Sequence, residues 1–302
     1  MRPTGYGVNR ADEILRALRA LRVTRAPGAT IISAMPEPLK LMAVLAHPDD
    51  ESLGIGGPLA KYAAEGIETY LVTATRGERG RYFTNENRPS DAEVGRAREA
   101  ELRAAAKELG IREVALLDYL DAELDRADPA EAIGRIVGHL RRVRPQVVVT
   151  FDQFGAYGHP DHIAICQFTT AAVLAAVDPT FGDGASPPHR VSKLYYFTDD
   201  AERWAAYQAA FKTLVSRVDG VERRAVAWPE WAMSARVETG TQRDRVWRAV
   251  QCHASQMAIY SKLAELTPEH HDALWGSQTF YRVMSMVNGG RARETDLFEG
   301  LR

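Results

Sequence analysis

The sequence predicts an α/β fold, a doubly wound, mostly parallel sheet of order 3-2-1-4-5 with helices on both faces. Three observations carry this. Short apolar runs rich in Val, Ile, Leu and Tyr recur along the chain. Longer helical stretches with recognisable start and stop residues separate them. At 302 residues and 45% apolar, the chain can build one large α/β domain or two modest ones.

The strand candidates are Lys40 to Ala46, Thr69 to Ala74, Val114 to Leu117, Gln146 to Phe151 and Lys193 to Phe197. One helix is expected from Asp91 to Leu109, after Ser90 and before Gly110. Another opens at Asp128-Pro129, with Pro at the first helical position, and runs to Val143. Repeated strand–helix–strand order implies right-handed crossovers and a sheet covered on both sides, a Rossmann-like arrangement whose function sits at the strands' C-terminal ends. Residues 1–38 are expected to be an N-terminal extension holding one helix, Ala11 to Leu21, with Met35 as an alternative start; residues 39–302 are expected to be a single domain. Gly182 to Pro188 reads as a solvated loop, Thr241 to Leu266 as a helix, and Phe280 to Val287 as a further segment of the C-terminal α/β additions that cap the sheet.

Composition narrows the function. Lys plus Arg number 38 against 40 Asp plus Glu, which leaves no basic field for nucleic acid. No apolar run of membrane-spanning length and no signal-like segment occurs, so no membrane insertion and a cytoplasmic location are expected. Cys166 and Cys252 lack CxxC spacing and read as small buried hydrophobes. Oligomeric state has no signature in the sequence.

Two clusters carry chemistry. The first strand runs into His47-Pro48-Asp49-Asp50-Glu51, one imidazole and three carboxylates on one turn. Helix capping accounts for one of these acids but not for the cluster. The fourth strand leads to Tyr157-Gly158-His159-Pro160-Asp161-His162. Strands one and four are neighbours in the expected order, so both clusters fall on the crevice where such sheets bind ligands. Imidazoles with a carboxylate suit a catalytic zinc, which takes three protein ligands and keeps one position open; Fe2+ suits the same donors. An adjacent carboxylate then serves as general base, and residue type alone leaves Asp49 and Asp50 interchangeable in these roles. Magnesium held by Asp49 and Asp50 for phosphoryl transfer is disfavoured by the histidines and by the lack of a GxxxxGK[ST] loop.

His47-Pro-Asp-Asp-Glu51 together with Gly158-His-Pro-Asp-His162 resembles the PIG-L (LmbE-like) zinc de-N-acetylases, nearest to the bacterial enzymes that deacetylate glucosaminyl-inositol in mycothiol synthesis. The resemblance runs from about Leu41 to Val287 and includes Thr73 to Gly80, Arg98 to Leu102, Leu120-Asp121 and His253 to Gln256. It implies that His47, Asp50 and His162 hold zinc and that Asp49 is the general base. It further implies that His159 stabilises the oxyanion or protonates the amine, with Asp161 tuning that imidazole and Tyr157 bonding the carbonyl oxygen. Arg98, in the family's Arg-x-x-Glu, and Asp121 would bind a small amino-sugar substrate; a helix-surface ion pair with Glu99 or Glu101 is the competing reading of Arg98. Arg76, with Glu78 and Arg79, follows the second strand and should rim the crevice. Glu51 reads equally as a supporting residue that orients the loop by accepting backbone N–H bonds or as one that touches the reaction, and His253 and Gln256 as contributors to the site or to packing. The implied activity is removal of an N-acetyl group from an N-acetylglucosamine-like substrate. The rivals are a zinc amidase for a thiol S-conjugate or natural-product amide, and a non-catalytic carbohydrate-binding protein.

Overall fold

The first strand, β1 (Lys40–Leu45), is apolar on both faces because both faces are covered: Leu41 through Ala46 are each 0% exposed. A computed structural model describes residues 37–302 apart from 183–185, 213, 288–289 and 291. The expected extension, its helix at Ala11 to Leu21 and the alternative start at Met35 lie outside the described residues. Residues Pro38–Arg302 form one compact unit.

β1 pairs in parallel with β2 (Glu68–Thr75) on one side and β4 (Val147–Thr150) on the other. β3 (Glu113–Tyr119) extends the β2 edge and β5 (Lys193–Thr198) the β4 edge, which gives the expected 3-2-1-4-5 order. The helix Asp91–Leu109 keeps its expected bounds. Ser90 and Glu93 form a reciprocal capping box at its start, and Gly110 closes it in the left-handed region at φ 78°. The helix Pro129–Val143 is capped by the Asp128 carboxylate on Glu131 N–H.

Beyond the parallel strands the sheet grows antiparallel. β9 (Ser277–Ser285) lies against β5, and β8 (Ala235–Glu238) against β9. The segment around Phe280 is thus a strand of the main sheet. Glu294 bolts this edge on: its carboxylate accepts bonds from Lys193 Nζ at 2.8 Å, Tyr195 Oη at 2.5 Å and Arg282 Nη1 at 2.7 Å. Lys193 is fully buried, so this pairing satisfies an ammonium removed from water.

The expected helix Thr241 to Leu266 breaks. Its regular part is Arg243–Cys252, followed by short turns and the four-residue helix Met257–Tyr260. The break falls at His253 (φ −81°, ψ 61°), whose ring is drawn inward to Glu51. A hairpin of β6 (Val215–Val218) and β7 (Val221–Arg224) went unread, although Asp219-Gly220 at its tip, with φ 50° and 78°, is a strong hairpin signal. Cys166 is buried and Cys252 half-buried, and neither is bridged. No helix among the described residues is long and apolar enough to cross a membrane.

Candidate metal centre

Ala43 of β1 pairs with Val149 of β4, so the chains leaving these strands enter the same crevice side by side. The first turns at Pro48-Asp49 into the short helix Asp50–Leu53. Asp49 stands at φ 107°, a conformation that costs a non-glycine residue energy and is typical of positions held for function. The second turns through Gly155 (φ 62°), where a Cβ would lie 2.7 Å from the Ile163 side chain. It reaches His159, which caps the helix Pro160–Ala175, whose first turn carries Asp161 and His162.

His47, Asp50 and His162 converge. His47 Nδ1 lies 3.1 Å from His162 Nε2 and 3.7 Å from Asp50 Oδ2, and His162 Nε2 lies 3.5 Å from Asp50 Oδ1. Ligands about 2.0–2.2 Å from a tetrahedral ion stand about 3.4 Å apart, so the donor set fits a metal of zinc's size. All three side chains are buried, and Phe151 stacks on the His162 ring at 3.9 Å between centroids. Burial, then the charge of His47, pushes His162 well below the ordinary histidine range, which suits a neutral ligand nitrogen. Burial also raises the Asp50 carboxyl to about 7. Its Oδ2 accepts the N–H groups of His47 at 2.8 Å and Ala46 at 3.1 Å, which fixes its orientation.

The far nitrogen of His47, Nε2, faces two carboxylates, Asp161 Oδ2 at 3.1 Å and Asp121 Oδ1 at 3.2 Å. Burial disfavours charge on His47, but the bonds to Asp121 and Asp161 and the charge of Asp50 hold it well above its ordinary value. This group of three could itself bracket a cation. However, Asp161 is already committed to Ala122 N–H at 2.8 Å and Leu124 N–H at 3.2 Å, so it supports the His47 ring from behind. Asp161 therefore tunes His47, not His159 as expected. Its backbone N–H, not its carboxylate, bonds His159, reaching Nδ1 at 3.2 Å. That bond puts the proton of a neutral His159 on Nε2. Burial, then the charge of His47, lowers this histidine to about 4, so it is neutral at physiological pH. A ring nitrogen of His159 lies within 4.8 Å of those of His47 and His162, so these three imidazoles could also close on a cation. Tyr157 is half-buried and edges onto both rings, at 6.0 Å from His159 and 5.6 Å from His162.

Asp49 sits beside the triad with one oxygen engaged. Oδ2 accepts from Arg98 Nη2 at 2.8 Å and from Tyr260 Oη at 2.7 Å; Oδ1 accepts nothing among the described residues. Arg98 is 4% exposed and also donates to Pro48 O and Gly77 O. A Cβ at Gly77 would come within 2.2 Å of this guanidinium, so glycine there is the condition of its approach. The sequence reading of Arg98 changes accordingly: it is neither a surface ion pair nor a free substrate ligand but the buried partner of Asp49. Asp121 likewise spends Oδ1 on His47 and Oδ2 on Arg79 N–H. Arg76 is paired with Glu99 at 2.8 Å and Asp118 at 2.6 Å on a partly exposed surface. All three expected substrate residues are thus bound by the protein itself.

Of the two readings of Glu51, its contacts are those of a loop-orienting residue. It accepts Asp49 N–H at 2.9 Å and meets His253 Nε2 at 2.8 Å, with both side chains fully buried. Sequence reasoning missed Tyr260 and Phe151, which carry no motif; only tertiary contact reveals them.

A doubly wound α/β chain with a buried His–Asp–His cluster and a carboxylate beside it is, as a class, the arrangement of a metal-dependent enzyme. The family model described as PIG-L: GlcNAc-PI de-N-acetylase matches residues 42–173. A 1D-myo-inositol 2-acetamido-2-deoxy-alpha-D-glucopyranoside deacetylase of a Nocardioides species is 32% identical, over 87% of this chain and 98% of the relative. The chain belongs to the PIG-L family. Two solved structures share the fold. The N,N'-diacetylchitobiose deacetylase from Pyrococcus horikoshii has TM-score 0.62 and 18% identity over 93% of this chain and 95% of that one. GalB, the 4-carboxy-2-hydroxymuconate hydratase of Pseudomonas putida KT2440, has TM-score 0.63 and 20% identity over 83% and 99%. The fold thus hosts more than one chemistry, and function must be argued from the site.

Proposed function

We propose that this chain is a zinc-dependent hydrolase that removes the acetyl group from the nitrogen of an N-acetylglucosamine-like small molecule. The convergence of His47, Asp50 and His162 beside the half-free carboxylate of Asp49 carries the reading. The 98% coverage of a relative named as a glucosaminyl-inositol deacetylase supports the substrate class. His47, Asp50 and His162 would hold the zinc, which when bound would polarise the amide carbonyl and make water more acidic; Fe2+ would suit the same donors.

Asp49 Oδ1 takes a proton from the attacking water, whose oxygen then bonds the carbonyl carbon. The Nε2–H of His159 donates to the developing oxyanion, as does the Tyr157 hydroxyl, which burial, then the charges of Asp50 and Asp49, keep protonated. The C–N bond breaks as the proton held by Asp49 passes to the leaving nitrogen, giving a free amine and acetic acid, which releases its proton to water as acetate.

Amine release from free, glycosidic, inositol-linked and chitobiose-type N-acetylglucosamine, by metal-stripped protein with and without zinc, tests this. Zinc-restored release from the inositol-linked member is expected. No release from any member by metal-loaded protein would exclude an amino-sugar substrate.

The support of His47 makes a separate prediction. Asp161→Asn should weaken metal binding about 10- to 100-fold, read by equilibrium metal titration. An unchanged affinity would mean that Asp121 alone orients the ring.

A further inference from the structure

The general base read above is clamped from a part of the chain far away in sequence. Tyr260 lies 211 residues beyond Asp49, yet its hydroxyl donates to Asp49 Oδ2 at 2.7 Å. The segment that brings it is pinned repeatedly to the elements around the base. His253 bonds Glu51, Ser255 N and Oγ both reach the Glu101 carboxylate at 2.7 Å, and Gln256 Nε2 donates to Arg81 O at 2.6 Å. The Phe211 ring packs edge-on against Tyr260, with centroids 6.1 Å apart. The same segment also reaches the strained backbone of Asp49, because the Glu51 carboxylate that meets His253 accepts the Asp49 N–H. Asp49 is therefore held at both ends.

Two donors on one carboxylate oxygen have a directional consequence. Arg98 Nη2 and Tyr260 Oη both take Oδ2, so the carboxylate cannot turn about its last bond without losing both. Oδ1 is left as the oxygen that faces a reactant. We infer that Tyr260 is a positioning residue for the reaction, which with Arg98 locks Oδ2 of Asp49 and reserves Oδ1 for the attacking water. This rests on the reading of Asp49 as the base. Arg98 supplies charge and two backbone anchors, whereas Tyr260 supplies only this bond, so its hydroxyl can be removed without stranding a buried ion.

Tyr260→Phe in the metal-loaded full chain tests the inference, with Asp49→Asn beside it. Loss of a hydrogen bond to a charged group that sets catalytic geometry should lower kcat about 10- to 100-fold. KM should stay within about twofold, and metal affinity by titration and Tm should stay near those of the parent, because phenylalanine keeps the ring that packs against the core and Phe211, and the lost hydroxyl bonds only Asp49. A rise in KM at constant kcat would make Tyr260 a substrate contact and overturn the inference. So would weakened metal binding, a Tm lower by about 10 °C, or parental kinetics. An Asp49→Asn protein that keeps its turnover would instead remove the base reading itself, which separates the two failures.

Discussion

Asp49→Asn is expected to lower turnover by about 10²- to 10⁴-fold while the protein still binds its metal, whereas His162→Ala should lose metal affinity as well. The separation follows from geometry. Asp50 and the two imidazoles stand 3.1 to 3.7 Å from one another, and Asp49 contributes no atom to that set. Asn is the right replacement because Asp49 also balances the buried Arg98 guanidinium, which an alanine would leave without its anion. The amide oxygen can still accept from Arg98 and Tyr260, but the side chain no longer takes a proton. Steady-state kinetics alongside metal content decides the matter; equal metal loss in the Asp49→Asn and His162→Ala proteins would collapse the distinction between base and ligand.

The largest stability effect is expected far from the chemistry. Glu294→Ala should destabilise the fold by about 3–5 kcal/mol, the scale for stranding one partner of a buried ion pair. Lys193 would remain fully buried at the start of β5, and Tyr195 would lose its acceptor. The same site gives a pH dependence with a definite sign. Burial works against the Glu294 carboxylate, but Lys193, Tyr195 and Arg282 outweigh it and hold its pKa below the ordinary 4.5. Its contribution is therefore complete above about pH 4.5 and is lost as pH falls through the lowered folded value. Denaturant titrations at neutral pH and on the acid side should show the parent and Glu294→Ala curves converging as pH drops. A constant gap across that range would deny the carboxylate its role.

Much of the fold was legible because its signals are local. β1 is apolar from Leu41 to Leu45 since both its faces are covered there, and Ser90 and Gly110 bound a helix by capping the groups that any helix end leaves open. The convergence of His47, Asp50 and His162 was legible for a different reason. These three residues lie within two short motifs at the ends of adjacent strands, so topology alone brings them together. The tail was misread where periodicity and tertiary contact disagreed: an apolar pattern compatible with a long helix is interrupted at His253, which turns inward to a buried carboxylate.

The order of the five parallel strands, the helices Asp91–Leu109 and Pro129–Val143, the two histidine–aspartate clusters and the family they belong to could be read from the amino-acid sequence alone. These depend on periodicity, end-capping chemistry and residue spacing, all of which act over a few residues. Only the tertiary structure decided what each charged group does. It turned Asp161 toward His47, gave Arg98 and Tyr260 to Asp49, and spent Asp121 and Arg76 inside the protein. A charged or polar side chain is assigned its role by whichever partner repays its desolvation, and for these residues most of those partners lie tens to hundreds of positions away in the chain.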